Sequence, residues 1–251
     1  MRFAESSAAV RSGRVIEHIA LVRDRQTEAR LVERLGSPRH PTVVSFVNAH
    51  ALNLSWHDEG FARDVAASNL VLRDGVGMSL ALSLLGGDPG LNMNGTDLIP
   101  KLLERFAGRP VALLGTSEPW LGRAADRVRG LGAEVVLSLD GYRPEAEYVE
   151  AVLRERPSLI LLGMGMPKQE RVALALRAAL DRPALIVNGG AVLDFLAGRF
   201  PRAPHWLRST GLEWLFRLAL EPVRLYGRYV AGAGPFLSRV VFLRLTGLQA
   251  P

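Results

Sequence analysis

The sequence predicts an α/β fold, a mainly parallel sheet with helices on both faces, followed by a basic helical C-terminal appendage. Short apolar runs typical of buried strands alternate, from residue 110 onward, with stretches of helical spacing 10–15 residues long. Glycine or small polar residues follow several of these runs, at the point where a strand passes into a helix. The chain has 251 residues, 48% of them hydrophobic, which is enough for one full core.

The first third of the chain contains five predicted segments. Residues 1–14 show no clear pattern and are expected to form a loose lead-in, whereas the spacing over 16–35 predicts a surface helix. The apolar run Thr42–Val47 predicts a strand. A helix is expected from 48 to about 56, and a short helix around 58–67 leads to the next strand.

A carboxylate lies where that next strand gives way to a helix. The apolar run 70–72 predicts a strand end, and the apolar spacing over 78–85 predicts the following helix, so Asp74 falls between them. Ligands of open α/β sheets bind at this edge, outside the carboxyl ends of the strands. Gly75 and Gly77 leave room for a substrate to approach the backbone. Asp74 is therefore a candidate for catalysis, although an Asp-Gly pair can also be a plain turn.

A second carboxylate follows the turn at residues 94–95. Thr96 is expected to cap a helix that reaches residue 106 and carries Asp97 in its first turn. A carboxylate in that position commonly serves only to complement the helix N-terminus. From the residues alone, Asp97 is more readily interpreted as structural than as catalytic.

The remaining part of the sheet is predicted as four strands, each followed by a helix. These elements are strand 110–114, helix 119–131, strand 133–139, helix 144–156, strand 158–162, helix 168–180, strand 184–187 and a helix to about 196.

Three loops between these strands and helices are rich in small residues and can bind phosphate through backbone N–H groups, namely 115–117, 163–167 and 188–191. None contains GxGxxG or a P-loop, which argues against a dinucleotide dehydrogenase or an ATPase. Loop 115–117 is expected to be an ordinary tight turn. The second loop leads into Lys168, Gln169 and Glu170, which crowd the start of a helix and favour a functional role.

The net charge of +6 comes entirely from the C-terminal tail. Residues 199–251 contain eight arginines and two glutamates, whereas residues 1–198 are neutral overall. A domain boundary is therefore placed at 199, separating a sheet domain from the appendage. A basic tail suggests an anionic partner such as phosphate, nucleic acid or an acidic membrane surface.

Helical spacing in the tail reaches about residue 220, and a last apolar stretch runs over 228–248. That stretch is expected either to lie in a membrane interface, with Phe236 and Phe242 entering it, or to dock on the sheet domain. No run of about 18 uncharged apolar residues exists, so no transmembrane helix is expected. The N-terminus has no apolar core of the signal-peptide type.

Composition also limits the chemistry. The chain has no cysteine, and its five histidines show no metal-binding spacing, so neither a thiolate nor a zinc site is expected. The sequence contains no DxD motif, through which metal-dependent transferases often hold a diphosphate. No metal and no cofactor are therefore predicted.

Several motifs, in order along residues 43–229, resemble the WecG/TagA/CpsF glycosyltransferase family. The matching blocks are Asn48-Ala49, Asp74-Gly75-Val76-Gly77, Gly95-Thr96-Asp97-Leu98, 113–115, 163–170, 188–191, 202–204, 211–217 and 221–224. The resemblance implies a Rossmann-like inverting hexosyltransferase that moves a sugar from a UDP-sugar to a polyprenyl-diphosphate-linked sugar in cell-surface polysaccharide synthesis. The missing DxD motif predicts that this transfer is metal-independent. It implies peripheral attachment at the cytoplasmic face of the cell membrane. The donor sugar, of the N-acetylmannosamine type or another, and association into a homo-oligomer are left open.

The resemblance also implies roles for individual residues. Asp74 matches the proposed base, Gln169 matches an active-site glutamine, and tail arginines are expected to close over the site at the membrane. The remaining matched positions predicted to bind substrate are Asn48, Gly75, Thr96, Asp97, Gly163, Gly165, Lys168, Asn188, Gly189, Arg202, Arg217 and Arg224. Phe46 departs from the family, where threonine is common, and this puts donor contacts around it in question.

The residues support this chemistry independently of the resemblance. Inverting transfer needs one base for the acceptor hydroxyl and positive charge on the departing diphosphate. Arginine suits that charge because it contacts phosphate in a bidentate manner. The alternative is a non-enzymatic protein that binds a sugar nucleotide or polyanion, in which Asp74 is structural. A nucleic-acid partner is not expected, because the tail has no recognisable binding motif.

Overall fold

One seven-stranded, fully parallel sheet forms the centre of the molecule. The structure is a computed structural model that describes residues 2–251, apart from the side chains of residues 2–6, 205 and 209. The strands are β1 (Ile19–Ala20), β2 (Thr42–Val47), β3 (Leu70–Arg73), β4 (Pro110–Gly115), β5 (Glu134–Leu139), β6 (Leu159–Gly163) and β7 (Leu185–Asn188). Their order across the sheet is β1-β3-β2-β7-β6-β4-β5. All six pairs of neighbours are parallel, which confirms the predicted fold class.

The helices follow the strands in the expected alternation. They are α1 (Arg2–Glu17), α2 (Arg25–Gly36), α3 (Ala49–His57), α4 (Glu59–Ala66), α5 (Gly75–Leu84), α6 (Gly95–Arg105), α7 (Trp120–Gly130), α8 (Glu145–Glu155), α9 (Lys168–Ala179), α10 (Val192–Leu196), α11 (His205–Ser209), α12 (Glu213–Leu220), α13 (Pro222–Tyr226) and α14 (Ala233–Leu245). A π-helical turn, Gly227–Ala231, joins α13 to α14.

Helices cover both faces of the sheet. Successive β4 residues show this, because Val111 and Leu113 pack into one cluster with α2, α6, α7 and α10. Ala112 and Leu114 pack on the opposite face, with α8 and α9. That face continues under α1, α3, α4, α5 and α14. Burial on both faces explains why these strands are continuous apolar runs.

The N-terminal third differs from the sequence prediction in two places. Instead of a loose lead-in, α1 packs against the core and buries Val15 and Ile16 completely. The single helix predicted over 16–35 is also wrong. Ile19 pairs with β3 as a short edge strand, and Asp24 then caps α2 by accepting a hydrogen bond from the Thr27 N–H at 2.7 Å. Helical spacing continued through this break, so the sequence pattern did not reveal it.

The helices near the two candidate carboxylates also begin earlier than predicted. Helix α5 starts at Gly75 instead of residue 78, with Asp74 as its N-cap residue. Asn94, rather than Thr96, caps α6, because its Oδ1 accepts a hydrogen bond from the Asp97 N–H at 2.8 Å. Asparagine is at least as good an N-cap residue as threonine, so the sequence offered both, and the cap was placed two residues too late.

The tail has two kinds of contact with the rest of the chain. Helix α12 has no buried residue, whereas α14 buries Phe236, Val240 and Leu243 against α1, α3 and α5. The expectation that Phe236 enters a membrane interface is therefore wrong, and the Phe242 ring packs edge-on against Trp56 with centroids 5.9 Å apart. The division at residue 199 remains a prediction. Within residues 2–251, no helix is both long and apolar enough to cross a membrane.

Candidate active site

A cleft of about 310 Å³ lies at the carboxyl ends of the central strands. Asn48 follows β2, Asp74 follows β3, Gly163 ends β6 and Asn188 ends β7, and all four line it. These strands are neighbours in the sheet, so residues far apart in sequence meet at one edge. This is the edge where open parallel sheets bind ligands.

Most of the residues predicted to form the site lie together in this cleft. They are Asn48, Asp74, Thr96, Gly163, Gly165, Gln169, Asn188, Gly189, Arg217 and Arg224. Four predicted residues, Gly75, Asp97, Lys168 and Arg202, do not line it.

Asp97 and Arg202 instead pair with each other beside the cleft. The Arg202 guanidinium donates a hydrogen bond to the Asp97 carboxylate, and Arg208 lies 3.7 Å from the same carboxylate oxygen. Asn94 Nδ2 also donates to Asp97, at 2.7 Å. These hydrogen bonds lower the pKa of Asp97, although its partial burial acts in the opposite direction. Asp97 therefore anchors the tail to the start of α6, which fits the structural interpretation of this residue.

Lys168 and Gly75 have structural contacts of their own. Lys168 Nζ donates hydrogen bonds to the backbone oxygens of Gly141 and Arg143, both at 2.8 Å. It thereby ties the start of α9 to the loop after β5. The Gly75 N–H donates to Asn92 Oδ1 at 2.7 Å, and its φ of 84° lies in the region that favours glycine.

Asp74 presents its carboxyl to the cleft from the N-cap position of α5. Burial raises its pKa above the ordinary value of 3.8. A hydrogen bond from the Asn48 side chain and the charges of Arg217, Arg73 and Arg228 oppose that rise. The result is a carboxyl more basic than an exposed aspartate, with positive charge around it, which suits a proton acceptor.

Four arginines line the cleft, three of them from the tail helices that lie across it. Arg217 comes from α12, Arg224 from α13 and Arg228 from the π-helical turn, while Arg199 precedes α11. The Arg217 guanidinium lies 5.1 Å from the centre of the Phe195 ring. Arg199 and Arg228 were missed as site residues. Their only sequence signal was the charge excess of the tail, which does not say which arginines turn inward.

The loop after β4 also contributes, contrary to the expectation of an ordinary turn. Thr116 lines the cleft, and its Oγ1 donates a hydrogen bond to Asp194 Oδ1 at 2.7 Å. Arg199 pairs with the same oxygen at 3.2 Å. A Cβ atom on Gly115 would lie 2.4 Å from the backbone of Gly163, so the ends of β4 and β6 can approach this closely only with glycine there.

Gln169 lines the cleft, but its amide is already engaged within the protein. Its Oε1 accepts a hydrogen bond from the Gly190 N–H at 3.0 Å, and its Nε2 donates to Glu170 Oε1 at 2.8 Å. Burial raises the pKa of Glu170 to about 7, and its Oε2 has no partner among the described residues. Gln169 thus holds the 188–191 loop against the start of α9.

Two further polar residues belong to this region. Asn188 lines the cleft, whereas His50 lies outside its lining and is affected by the charge of Arg228. Asn188 is buried and donates from Nδ2 to Ser45 Oγ at 2.8 Å, while its Oδ1 has no partner within residues 2–251. That oxygen is available to accept a hydrogen bond from a ligand. Burial, with the charge of Arg228, lowers the pKa of His50 to about 4, so its ring is neutral at physiological pH.

No three His, Cys, Asp or Glu side chains converge into a potential metal site in the described part of the chain. The charge opposite Asp74 and Asp194 in the cleft comes from the four arginines.

Comparison with known proteins adds the family context of this cleft. The model described as "Glycosyl transferase WecG/TagA/CpsF family" matches residues 17–250. A Bacillus subtilis protein named N-acetylglucosaminyldiphosphoundecaprenol N-acetyl-beta-D-mannosaminyltransferase is 25% identical over 187 residues, which span 72% of this chain and 73% of the relative. A Bacillus spizizenii protein of the same name is 25% identical over 165 residues, 64% of each chain.

Proposed function

The chain belongs to the WecG/TagA/CpsF glycosyltransferase family, and from this premise we propose that it transfers an N-acetylmannosamine-type sugar from a UDP-sugar to a polyprenyl-diphosphate-linked sugar. The names of the two relatives specify an N-acetylmannosaminyl group and an N-acetylglucosaminyl-diphosphoundecaprenol. They support this sugar class and this acceptor class. Because the family consists of glycosyltransferases, the alternative of a non-enzymatic binding protein is set aside.

The observation that carries the proposal is that the Asp74 carboxylate lies with several arginines in a cleft at the ligand-binding edge of the sheet. Asp74 has the raised pKa expected of a base, while Arg217, Arg224 and Arg228 line the same cleft. A base and a site for a departing anion are the two requirements of inverting transfer.

In the proposed reaction, the acceptor hydroxyl attacks the anomeric carbon of the donor from the side opposite the UDP. The Asp74 carboxylate takes the hydroxyl proton as the new C–O bond forms. The bond between the anomeric carbon and the UDP oxygen breaks, UDP leaves with the bonding electrons, and the configuration at that carbon inverts.

The tail arginines are proposed to stabilise the negative charge that develops on the UDP diphosphate. Guanidinium groups pair with phosphate through two parallel hydrogen bonds, and such charge-assisted bonds are about twice as strong as neutral ones. With these groups in place, the transfer is proposed to need no divalent metal. Asn188 Oδ1, which lacks a partner in the described chain, is proposed to accept a hydrogen bond from the donor.

We place the reaction at the cytoplasmic face of the cell membrane, with the protein attached peripherally. The basic tail supports this placement, because anionic head groups attract arginine by about 1 kcal/mol per charge near the surface. A polyprenyl-linked acceptor would also reside in the bilayer.

The test is an assay of UDP release by the full chain. UDP-N-acetylmannosamine, its uronic acid and UDP-glucose are each supplied with a short-chain prenyl-diphosphate N-acetylglucosamine. We expect UDP release with N-acetylmannosamine as the preferred donor, and a product anomeric configuration opposite to that of the donor. A protein that binds the donors but releases no UDP with any of them would contradict the proposal, and retained configuration would contradict the inverting mechanism.

A further inference from the structure

Helix α5 is strongly apolar, with Ser79 and Ser83 as its polar side chains, yet one side of it is exposed. The helix contains no charged residue and buries Met78, Ala81 and Leu82 in the core. On its other side, Val76, Leu80 and Leu84 are 49%, 47% and 44% exposed. Large apolar side chains that lie exposed in a contiguous row are typical of a surface that contacts a partner or a membrane.

Helix α14 has an exposed apolar row of the same kind. Leu237, Val241 and Leu245 recur every four residues and are 40%, 51% and 81% exposed, while Phe236, Val240 and Leu243 are buried. Residues four apart lie on one side of a helix, so these three side chains form a continuous stripe.

The two stripes lie side by side. A Cβ atom on Gly77, in the first turn of α5, would lie 3.8 Å from the Phe236 ring in the first turn of α14. Just beyond the end of α5, a Cβ atom on Gly86 would lie 3.7 Å from Arg244 Nη1, in the last turn of α14. The helices therefore run in the same direction, with their starts and their ends near each other. We name this surface the α5–α14 face, formed by Val76, Leu80, Leu84, Leu237, Val241 and Leu245.

The α5–α14 face begins at the mouth of the cleft. Val76 is two residues after Asp74, which lines the cleft. A Cβ atom on Gly211 would lie 3.5 Å from Val76, so the tail crosses the start of α5 there. The next tail residues, Leu212 and Leu215, are also exposed. The apolar surface thus continues from α5 onto the tail helices whose arginines line the cleft.

We propose that the α5–α14 face rests in the interface of an anionic lipid bilayer, so that α5 of the sheet domain supplies half of the membrane contact. This inference rests on the proposed function, in which the acceptor is held in a bilayer. Neither helix contains an acidic residue, and α14 carries the exposed Arg244, whereas its Arg239 donates a hydrogen bond to Asn53 Oδ1 on the side that packs against α3. Apolar rows with arginine as the only charge are typical of surfaces that insert between anionic head groups. Contact on this face brings the cleft mouth to the lipid surface.

The test is binding of the full chain to vesicles of phosphatidylglycerol and phosphatidylcholine, measured by co-sedimentation. The double variant Leu80→Gln with Leu84→Gln removes two apolar contacts without touching the cleft lining. Leu153→Gln is the matched control, because Leu153 is 42% exposed on α8, next to the opposite edge strand of the sheet. We expect the double variant to partition at least about tenfold more weakly, since immersing each leucine stabilises binding. The control should stay within about twofold of the unaltered protein.

A second readout separates this inference from the proposed function. Turnover of a long-chain acceptor embedded in vesicles should fall in the double variant, while turnover of a short-chain soluble acceptor should not change. Equal vesicle binding by the double variant and the control would overturn the inference. The inference would also be overturned if the unaltered protein and the control formed oligomers while the double variant was a monomer. In that case a second copy of the chain would cover the face. If no acceptor is turned over by any variant, the proposed function fails, and the vesicle comparison still decides the inference.

Discussion

Asp74 should control the pH dependence of turnover. The proposed base acts as a carboxylate, so kcat/KM should rise as the pH rises through the Asp74 pKa, which burial holds above 3.8. The charge of Arg217 lowers the pKa of Asp74, against the effect of burial. Arg217→Gln should therefore raise that pKa and move the acidic limb of the profile to higher pH. The measurement is kcat/KM against pH for both proteins, with Arg129→Gln as the control because Arg129 pairs with Asp126 outside the cleft. If the acidic limb does not move in Arg217→Gln, the charge of Arg217 does not affect the pKa of the titrating group.

Glu170 should make the protein less stable as the pH rises. Its folded-state pKa of about 7 exceeds the ordinary 4.5, so the folded state holds the proton more tightly than the unfolded chain. This contribution is fully present below about pH 4.5 and is lost as the pH rises through about 7. At about 1.4 kcal/mol per pKa unit, the loss amounts to roughly 3 kcal/mol.

Glu170→Gln removes this titration and preserves the shape of the side chain. Urea unfolding of both proteins between about pH 4.5 and 8 should show the unaltered protein losing stability relative to the variant. Parallel stability curves would mean that Glu170 does not titrate in this range.

At the scale of single elements, the tail helices α12 and α13 should supply the diphosphate site. Arg217→Gln and Arg224→Gln should each lower kcat/KM by about 10²-fold, the usual effect of removing one preorganised donor. Activity should also survive EDTA, because arginine is proposed to take the place of a metal. Loss of activity in EDTA with recovery in Mg²⁺ or Mn²⁺ would contradict this account.

The element boundaries show what local pattern can predict. Strand β4 was predicted to within one residue, because an apolar run buried on both faces carries its own signal. Helix α1 was missed because the side that it buries against α3 and α4 includes small residues such as Ala8, Ala9 and Ser12, which give only a weak apolar signal. The break before α2 depends on pairing between Ile19 and Val71, a contact between residues far apart in the sequence.

The functional site, too, could be predicted from the local sequence pattern only in part. Asn48, Asp74 and Asn188 could be predicted because each lies at or just after the end of a strand, and parallel strands end at one edge of the sheet. Arg228 could not, because its place depends on how the tail folds back over the cleft. Asp97 could be placed at a helix start but not assigned a partner, since Arg202 lies 105 residues away.

At the scale of the whole molecule, the tail and the sheet domain share a core. Removing residues 199–251 would delete Phe236, Val240 and Leu243 and expose their partners on α1, α3 and α5. The truncated chain should therefore lose about 5 kcal/mol or more in its free energy of unfolding. Urea denaturation of both lengths tests this, and an unchanged midpoint would show that the sheet domain is stable without the tail.

The proposed reaction depends most on Asp74 acting as the base for sugar transfer. The most direct measurement compares turnover of the UDP-sugar by the unaltered protein and by Asp74→Asn, which keeps the size of the side chain and removes its basicity. Unfolding curves of both proteins verify that the fold is intact. We predict that turnover falls by about 10²–10⁴-fold in Asp74→Asn while the donor still binds. Near-normal turnover in a folded Asp74→Asn protein would contradict the account.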